Sequence, residues 1–199
     1  MNQLIQLKKE DAAEITAIHT LAFPGFFLTD LGKDVLCVFY SALIQDKSTI
    51  VWGVENDTKI IGFCVASTAP SGLYSRIFIK HFFNFLIPLT ISFFKNLNFL
   101  KRMITSFTSS KKYYVLPKYP SSLLSICVSP AYAGKGVGKM LLNRLEKELI
   151  LQKQFGYYLT TDAENNNATN QFYLSFGFKL YDIYNQGNRL MNIYVKELK

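Results

Sequence analysis

The chain is poor in the residues that build metal and disulfide sites. Cys37, Cys64 and Cys127 are its three cysteines, widely spaced in 199 residues and in no paired ligand pattern. An odd, scattered set predicts buried free thiols in a reducing compartment. His19 and His81 are the two histidines and lie far apart in sequence, so no metal site is expected. The opening MNQLIQLKKEDAAEI lacks a long apolar core behind a basic start, which argues against a signal peptide and makes the cytoplasm the expected location. No Pro/Gly/Ser-rich linker and no internal repeat divides the chain, so residues 1–199 are expected to form a single domain.

Acidic residues are missing from a long central tract. Between Thr58 and Arg144 there is no Asp or Glu, while Lys59, Arg76, Lys80, Lys95, Lys101, Arg102, Lys111, Lys112, Lys118, Lys135, Lys139 and Arg144 all fall there. The net charge of +8 is therefore unevenly placed. It points to an anionic partner: a cofactor phosphate, a membrane surface or an acidic substrate. A solvated basic face is the plain alternative. No RNA- or DNA-binding motif is present, so nucleic acid is not an expected partner.

Apolar residues make up 49% of the chain, enough for one good core. Leu4 to Leu7 reads as a first strand. Asp11 with Glu14 three residues on reads as a capping box before a helix whose Ile15, Ile18 and Ala22 share a face, ended by Phe23-Pro24-Gly25. A second helix is expected from about Thr29, with Leu31, Val35, Phe39 and Leu43 in one stripe. Ser48–Glu55 and Lys59–Ser67 read as a hairpin turning at Asn56-Asp57.

Residues 71–120 are apolar, aromatic and basic. The uncharged run from Phe82 to Phe94 has 13 residues. A bilayer needs about 20, and Pro88 interrupts the run, so two helices broken near Pro88 are expected rather than a span. Beyond them, Ser122–Val128 is a strand, Val137, Leu141, Leu145 and Leu149 mark a helix, and Gly156–Asp162 is a strand. A short helix over Ala168–Phe176, capped by Asn167 and stopped by Gly177, precedes strands at Phe178–Asn185 and Leu190–Glu197. Strands mixed with helices around one sheet imply an α/β (α+β layered) fold.

The most informative segment is Val128-Ser129-Pro130-Ala131-Tyr132-Ala133-Gly134-Lys135-Gly136-Val137-Gly138-Lys139, set between a strand and a helix. Glycines admit a ligand close to the backbone, and free amides at a helix start attract phosphate. A Walker loop would need Gly where Ala133 stands and Ser or Thr where Met140 stands. A dinucleotide fingerprint would need Gly where Lys139 stands. Both fail. The segment resembles the pyrophosphate loop of the GNAT superfamily of acetyltransferases: Gln or Arg, two residues, Gly, one residue, then Gly or Ala. Gly136 and Gly138 match; Ala133 replaces the Gln or Arg, which removes a side-chain contact.

About thirty residues on, Glu164 to Phe178 resembles the second signature of that superfamily, an Asn followed by a Tyr and then Gly-Phe. Asn166, Phe172-Tyr173 and Gly177-Phe178 carry it, with Thr169 in place of the usual Ala. The resemblance covers most of the chain outside residues 71–120. It implies a single mixed, mostly antiparallel GNAT-like sheet flanked by helices, with residues 71–120 as a helical insertion.

It also implies acetyl-CoA as co-substrate, bound between Leu123–Val128 and Tyr157–Asp162. Ile126, Cys127 and Val128 would lie along the pantetheine arm. Ala133, Gly134, Lys135, Gly136, Val137, Gly138 and Lys139 would hold the diphosphate, with Asn166 and Asn170 on the other side. Tyr173 would be the catalytic acid. The implied reaction is direct attack of a primary amine, of a small molecule or sugar, on the thioester. Relatives often carry a Glu on the strand before the turn, and Ser122–Val128 has none. Asp30, Glu164 and His19 are the candidate bases, with solvent as a further option. Two alternatives stand beside this reading: a non-catalytic acyl-CoA-binding module, and a membrane-surface acyltransferase acting on a lipid-linked substrate. The insertion would then wall a substrate pocket, touch a membrane surface through residues 73–103, or form extra core or a homodimer contact.

Overall fold

Seven strands drawn from both ends of the chain join one sheet. They are β1 (Gln3–Gln6), β2 (Thr49–Asn56), β3 (Lys59–Ser67), β4 (Ser121–Val128), β5 (Gly156–Asp162), β6 (Lys179–Gln186) and β7 (Arg189–Glu197). The computed structural model describes residues 1–95 and 116–199. The strand order is β1-β2-β3-β4-β5-β7-β6. Every neighbouring pair is antiparallel except β4 and β5, which run parallel. The expected mixed, mostly antiparallel sheet is present.

Helices cover both faces. α1 (Ala12–Ala22), α2 (Phe27–Asp30), α3 (Lys33–Gln45), α4 (Leu73–Lys80) and α5 (Phe82–Lys95) precede β4, and α6 (Val137–Leu151) and α7 (Asn167–Ser175) follow it. Side chains alternate along a strand, so β3 serves two cores at once. Its Phe63 and Val65 pack with Ile15, Leu36 and Leu43 of the first helices. Its Cys64 and Ala66 pack with Leu141 and Leu145 of α6. The stripe Val137, Leu141, Leu145 and Leu149 is fully buried, as its spacing predicts.

Several boundaries differ from the sequence reading. The β2–β3 turn falls at Asp57 and Thr58, both at positive φ (48° and 65°), the geometry that matches the twist of a two-residue hairpin. Asn56 stays in register with Lys59. At the start of α1 no capping box closes between Asp11 and Glu14. The Lys8 N–H donates to the Asp11 carboxylate at 2.7 Å across a preceding 3₁₀ turn, while Glu14 accepts from the Ile60 N–H at 2.8 Å. Glu14 thus ties α1 to the sheet. The second helix is split: Gly32, at φ 95°, separates the single turn of α2 from α3.

The break in the aromatic segment comes at His81, and Pro88 lies inside α5. The His81 carbonyl accepts from Asn84 N–H (2.9 Å) and Phe85 N–H (3.2 Å), opening α5 there. Leu73, Ile77 and Phe85 are all buried in the same core, and a turn at His81 lets both short helices face it. Residues 96–115, the rest of the expected helical insertion up to 115, lie outside the described residues. α7 begins at Asn167 with Asn166 as its N-cap, one residue earlier than expected, and Gly177 (φ 92°) follows its end.

Candidate active site

The two central strands part company early. β4 and β5 are in register only at Ser121–Tyr157, Ser122–Tyr158 and Leu123–Leu159. On its other side β4 pairs Leu123 with Ala66 and Ser125 with Val65, which leaves Leu124 as an extra residue. A bulge bends the strand that carries it. Here it sits at the point where β4 leaves β5. From there on, β4 has a partner on one edge alone.

Backbone direction alternates along an antiparallel ladder. The Ser129 N–H donates to Ile61 O at 2.8 Å, toward β3. Cys127 and Ser125 share that phase, so the N–H and C=O of Ile126 and Val128 face the split. Beyond Val128 the chain makes a 3₁₀ turn over Pro130–Tyr132, then passes Gly134 (φ 73°) and Gly136 (φ 81°) into α6. A Cβ at Gly134 or Gly136 would meet nothing within 4 Å, so these glycines answer a backbone conformation and leave open space above it. The first turn of α6 has no acidic residue. Its leading amides form a positive end aimed at that space.

One cavity of about 850 Å³ joins these parts. At one end Ala133, Gly134, Gly136, Gly138, Lys139 and Asn166 line it; Ser125, Ile126, Val128 and Tyr173 stand at the middle; His19, Phe39, Tyr40, Phe78, Phe85 and Leu89 belong to the far end. Of the residues the resemblance brings forward, Cys127, Lys135 and Asn170 lie off its wall. The Lys135 ammonium sits 5.0 Å from the centre of the Tyr132 ring. Asn170 is buried: its Nδ2 donates to Asp162 O at 3.1 Å and its Oδ1 accepts from Asn192 Nδ2 at 3.2 Å. Asn166 donates through Nδ2 to Thr161 Oγ1 at 2.8 Å. Both asparagines therefore fix α7 against the end of β5. Val137 is buried against the core. A Cβ at Gly138 would stand 3.1 Å from the Phe172 ring, so Gly138 also lets α6 and α7 approach closely.

Tyr173 packs against Phe178 and Tyr194 and is nearly buried. Burial, with Cys127 nearby, pushes its phenol well above the ordinary tyrosine value. The proton stays on its oxygen. Cys127 faces the other side of the sheet, and burial pushes its thiol up to about 12; the Cys64 thiol is pushed to about 12 for the same reason. Neither is a thiolate nucleophile at neutral pH.

A polar chain crosses the apolar end. His19 Nδ1 and Tyr40 Oη are 2.6 Å apart, Tyr40 Oη and Ser125 Oγ 3.3 Å, and Ser125 Oγ and Cys127 Sγ 3.5 Å. His19 Nε2 is buried with no partner among the described residues. Desolvation lowers the His19 pKa to about 4. Of the three candidate bases, His19 lines the cavity; among the described residues Asp30 and Glu164 do not. The one carboxylate on the described wall is Asp162, held by Arg189 at 2.8 and 2.6 Å. The reading of the sequence missed Tyr40 and Ser125. Tyr40 carries a faint signal, a polar tip four residues after Leu36 on a buried helix face; Ser125 carries none.

Comparison with known proteins agrees with this geometry. Residues 106–180 match the family model described as an acetyltransferase (GNAT) domain. No curated protein matches the chain by sequence. Among solved structures, the ribosomal-protein-S18-alanine N-acetyltransferase from Escherichia coli superposes with a TM-score of 0.60 at 18% identity, covering 100% of this chain and 94% of that one. YncA from Salmonella typhimurium, solved with its cofactor acetyl-CoA, gives 0.62 at 17%, covering 100% and 94%. The PaiA N-acetyltransferase from Thermoplasma acidophilum, in complex with coenzyme A, gives 0.57 at 14%, covering 99% of each chain. At these identities the likeness is one of fold. Residues 106–180 thus match a GNAT acetyltransferase domain, and the fold around them is that of solved N-acetyltransferases.

Proposed function

We propose that the chain, acting as a single domain, moves an acetyl group from acetyl-CoA to the primary amine of a small hydrophobic molecule. The observation that carries this reading is the split between β4 and β5, which runs into the open glycine turn at one end and the apolar cavity at the other. The bound thioester supplies the activated acetyl group. The amides of Gly134 to Lys139 hold its diphosphate, and Lys139 adds a cation. The free backbone groups of Ile126 and Val128 take the pantetheine amides as a missing strand would. An amide of β4 polarises the acyl carbonyl as charge develops there.

The reaction balances as direct transfer. The amine nitrogen bonds to the carbonyl carbon, the C–S bond breaks, and the leaving sulfur takes the proton that Tyr173 holds. Buried, protonated Cys64 and Cys127 offer no acyl-enzyme route, which supports direct attack. The base question has a physical answer in the cavity itself. An ammonium entering an apolar cavity loses hydration, and desolvation favours its neutral, nucleophilic form. His19, neutral for the same reason, and the hydroxyls of Tyr40 and Ser125 relay the proton that the nitrogen releases to solvent, and Tyr173 recovers from solvent the one it gave. The aromatic and aliphatic walls favour a hydrophobic amine over a sugar.

Titration calorimetry with coenzyme A, followed by thiol release from acetyl-CoA across a panel of alkyl, aryl and sugar amines, tests this. Heat on binding and faster release with apolar amines are expected. No heat, or preference for sugar amines, would refute the respective halves of the reading.

A further inference from the structure

The helical hairpin α4–α5 has two apolar faces, and the fold uses one. Leu73, Ile77 and Phe85 point into the core, and Phe78, Phe85 and Leu89 wall the cavity. On the opposite side Ile79, Phe83 and Ile87 are 76%, 82% and 68% exposed, joined by Phe82, Leu86 and Ile91. Phe83, Ile87 and Ile91 follow at i, i+4, i+8, a continuous ridge along α5. An exposed apolar ridge of this size marks a contact surface.

Its charge setting selects the partner. Lys80 is exposed at the end of α4, and the sequence of α4–α5 carries Arg76, Lys80 and Lys95 and no acidic residue. A neutral protein partner gives no reason for that bias; an anionic lipid surface does. α5 has 14 residues, and no helix among the described residues is long and apolar enough to cross a membrane. A helix apolar on its outer face, with Lys80 before it and Lys95 within it, suits the plane of the lipid interface.

We propose that the outer face of α4–α5 docks the protein on an anionic bilayer, and that the cavity walled by the inner face of the same helices receives an amine borne on a hydrocarbon chain. The docking stands on this surface alone; the acceptor class rests on the acetyl-transfer reading above. The test uses the full chain in co-sedimentation with phosphatidylcholine vesicles, with and without phosphatidylglycerol. Binding to the anionic vesicles, weakened by salt, is expected. The double variant F83S/I87S should lower the vesicle partition coefficient on the order of 100-fold, since two exposed apolar side chains no longer enter the interface. Both residues lie off the cavity wall and outside the core, so coenzyme A binding measured by calorimetry should be unchanged in the variant. No binding to anionic vesicles at low salt overturns the proposal. So does a concentration-dependent dimer that F83S/I87S abolishes while vesicle binding is absent, which would assign the ridge to a second copy. Loss of coenzyme A binding by the wild-type chain, with vesicle binding intact, would instead sink the acetyl-transfer reading.

Discussion

Acidification should loosen this protein through His19. The imidazole is 4% exposed, it packs on Phe23 and Tyr40, and its pKa falls from 6.5 to about 4 because burial penalises the cation. A group whose folded pKa is depressed contributes stability that is present above the unfolded value and is lost as pH drops toward the folded value. Here the window runs from pH 6.5 to about 4. Each pKa unit corresponds to about 1.4 kcal/mol, so the whole shift is worth at most about 3 kcal/mol, and about 2 kcal/mol of it is lost between pH 7 and 5. Urea unfolding measures this directly. With a slope of about 2 kcal/mol per molar, the midpoint should fall by about 1 M over that interval. Carboxylates change little above pH 5, and the half-buried His81 titrates identically in a His19→Phe variant. The variant should therefore keep its midpoint over the same interval. Equal losses in the two proteins would refute a buried neutral His19.

Other outcomes can be checked in parallel. Tyr173→Phe should lower kcat by about 100-fold while leaving coenzyme A affinity nearly unchanged, because one proton donor is removed from a binding site otherwise intact; equal kcat would remove the acid assignment. Gly136→Ala adds a Cβ to a φ 81° residue facing open space, costing about 1–2 kcal/mol of stability and weakening coenzyme A binding in calorimetry. An unchanged affinity would show that the turn does not hold the diphosphate. Leu145→Ala, at a fully buried position between α6 and the sheet, should cost about 3 kcal/mol by denaturant titration, and a cost below about 1 would mean that core repacks.

The parts of this structure that sequence periodicity encodes were legible in advance. The α6 stripe, the β2–β3 hairpin and the glycine turn each rest on local spacing, and each appears where that spacing places it, the hairpin turn one residue later. What local spacing does not encode was misread. Pro88 breaks helices on average, yet the turn sits at His81 because Ile77 and Phe85 must both reach one core. Glu14 had the form of a capping residue, but a strand amide 46 positions away claims it. Asn170 reads as a ligand contact, and in the fold its side chain also ties α7 to Asp162 and Asn192, which no local pattern announces. The line from His19 through Tyr40 to Ser125 joins three elements and leaves no pattern along the chain.

The short zipper of three residue pairs between β4 and β5 has a mechanical meaning. It is the only run of strand pairing, among the described residues, that sews the first half of the sheet to the second. Deformation will concentrate at this hinge line, since the ladders on either side are longer. A pantetheine lying in the gap completes the interrupted stitching. Occupancy should thus stiffen the molecule across its middle, with amide exchange at Ile126 and Val128 slowing first.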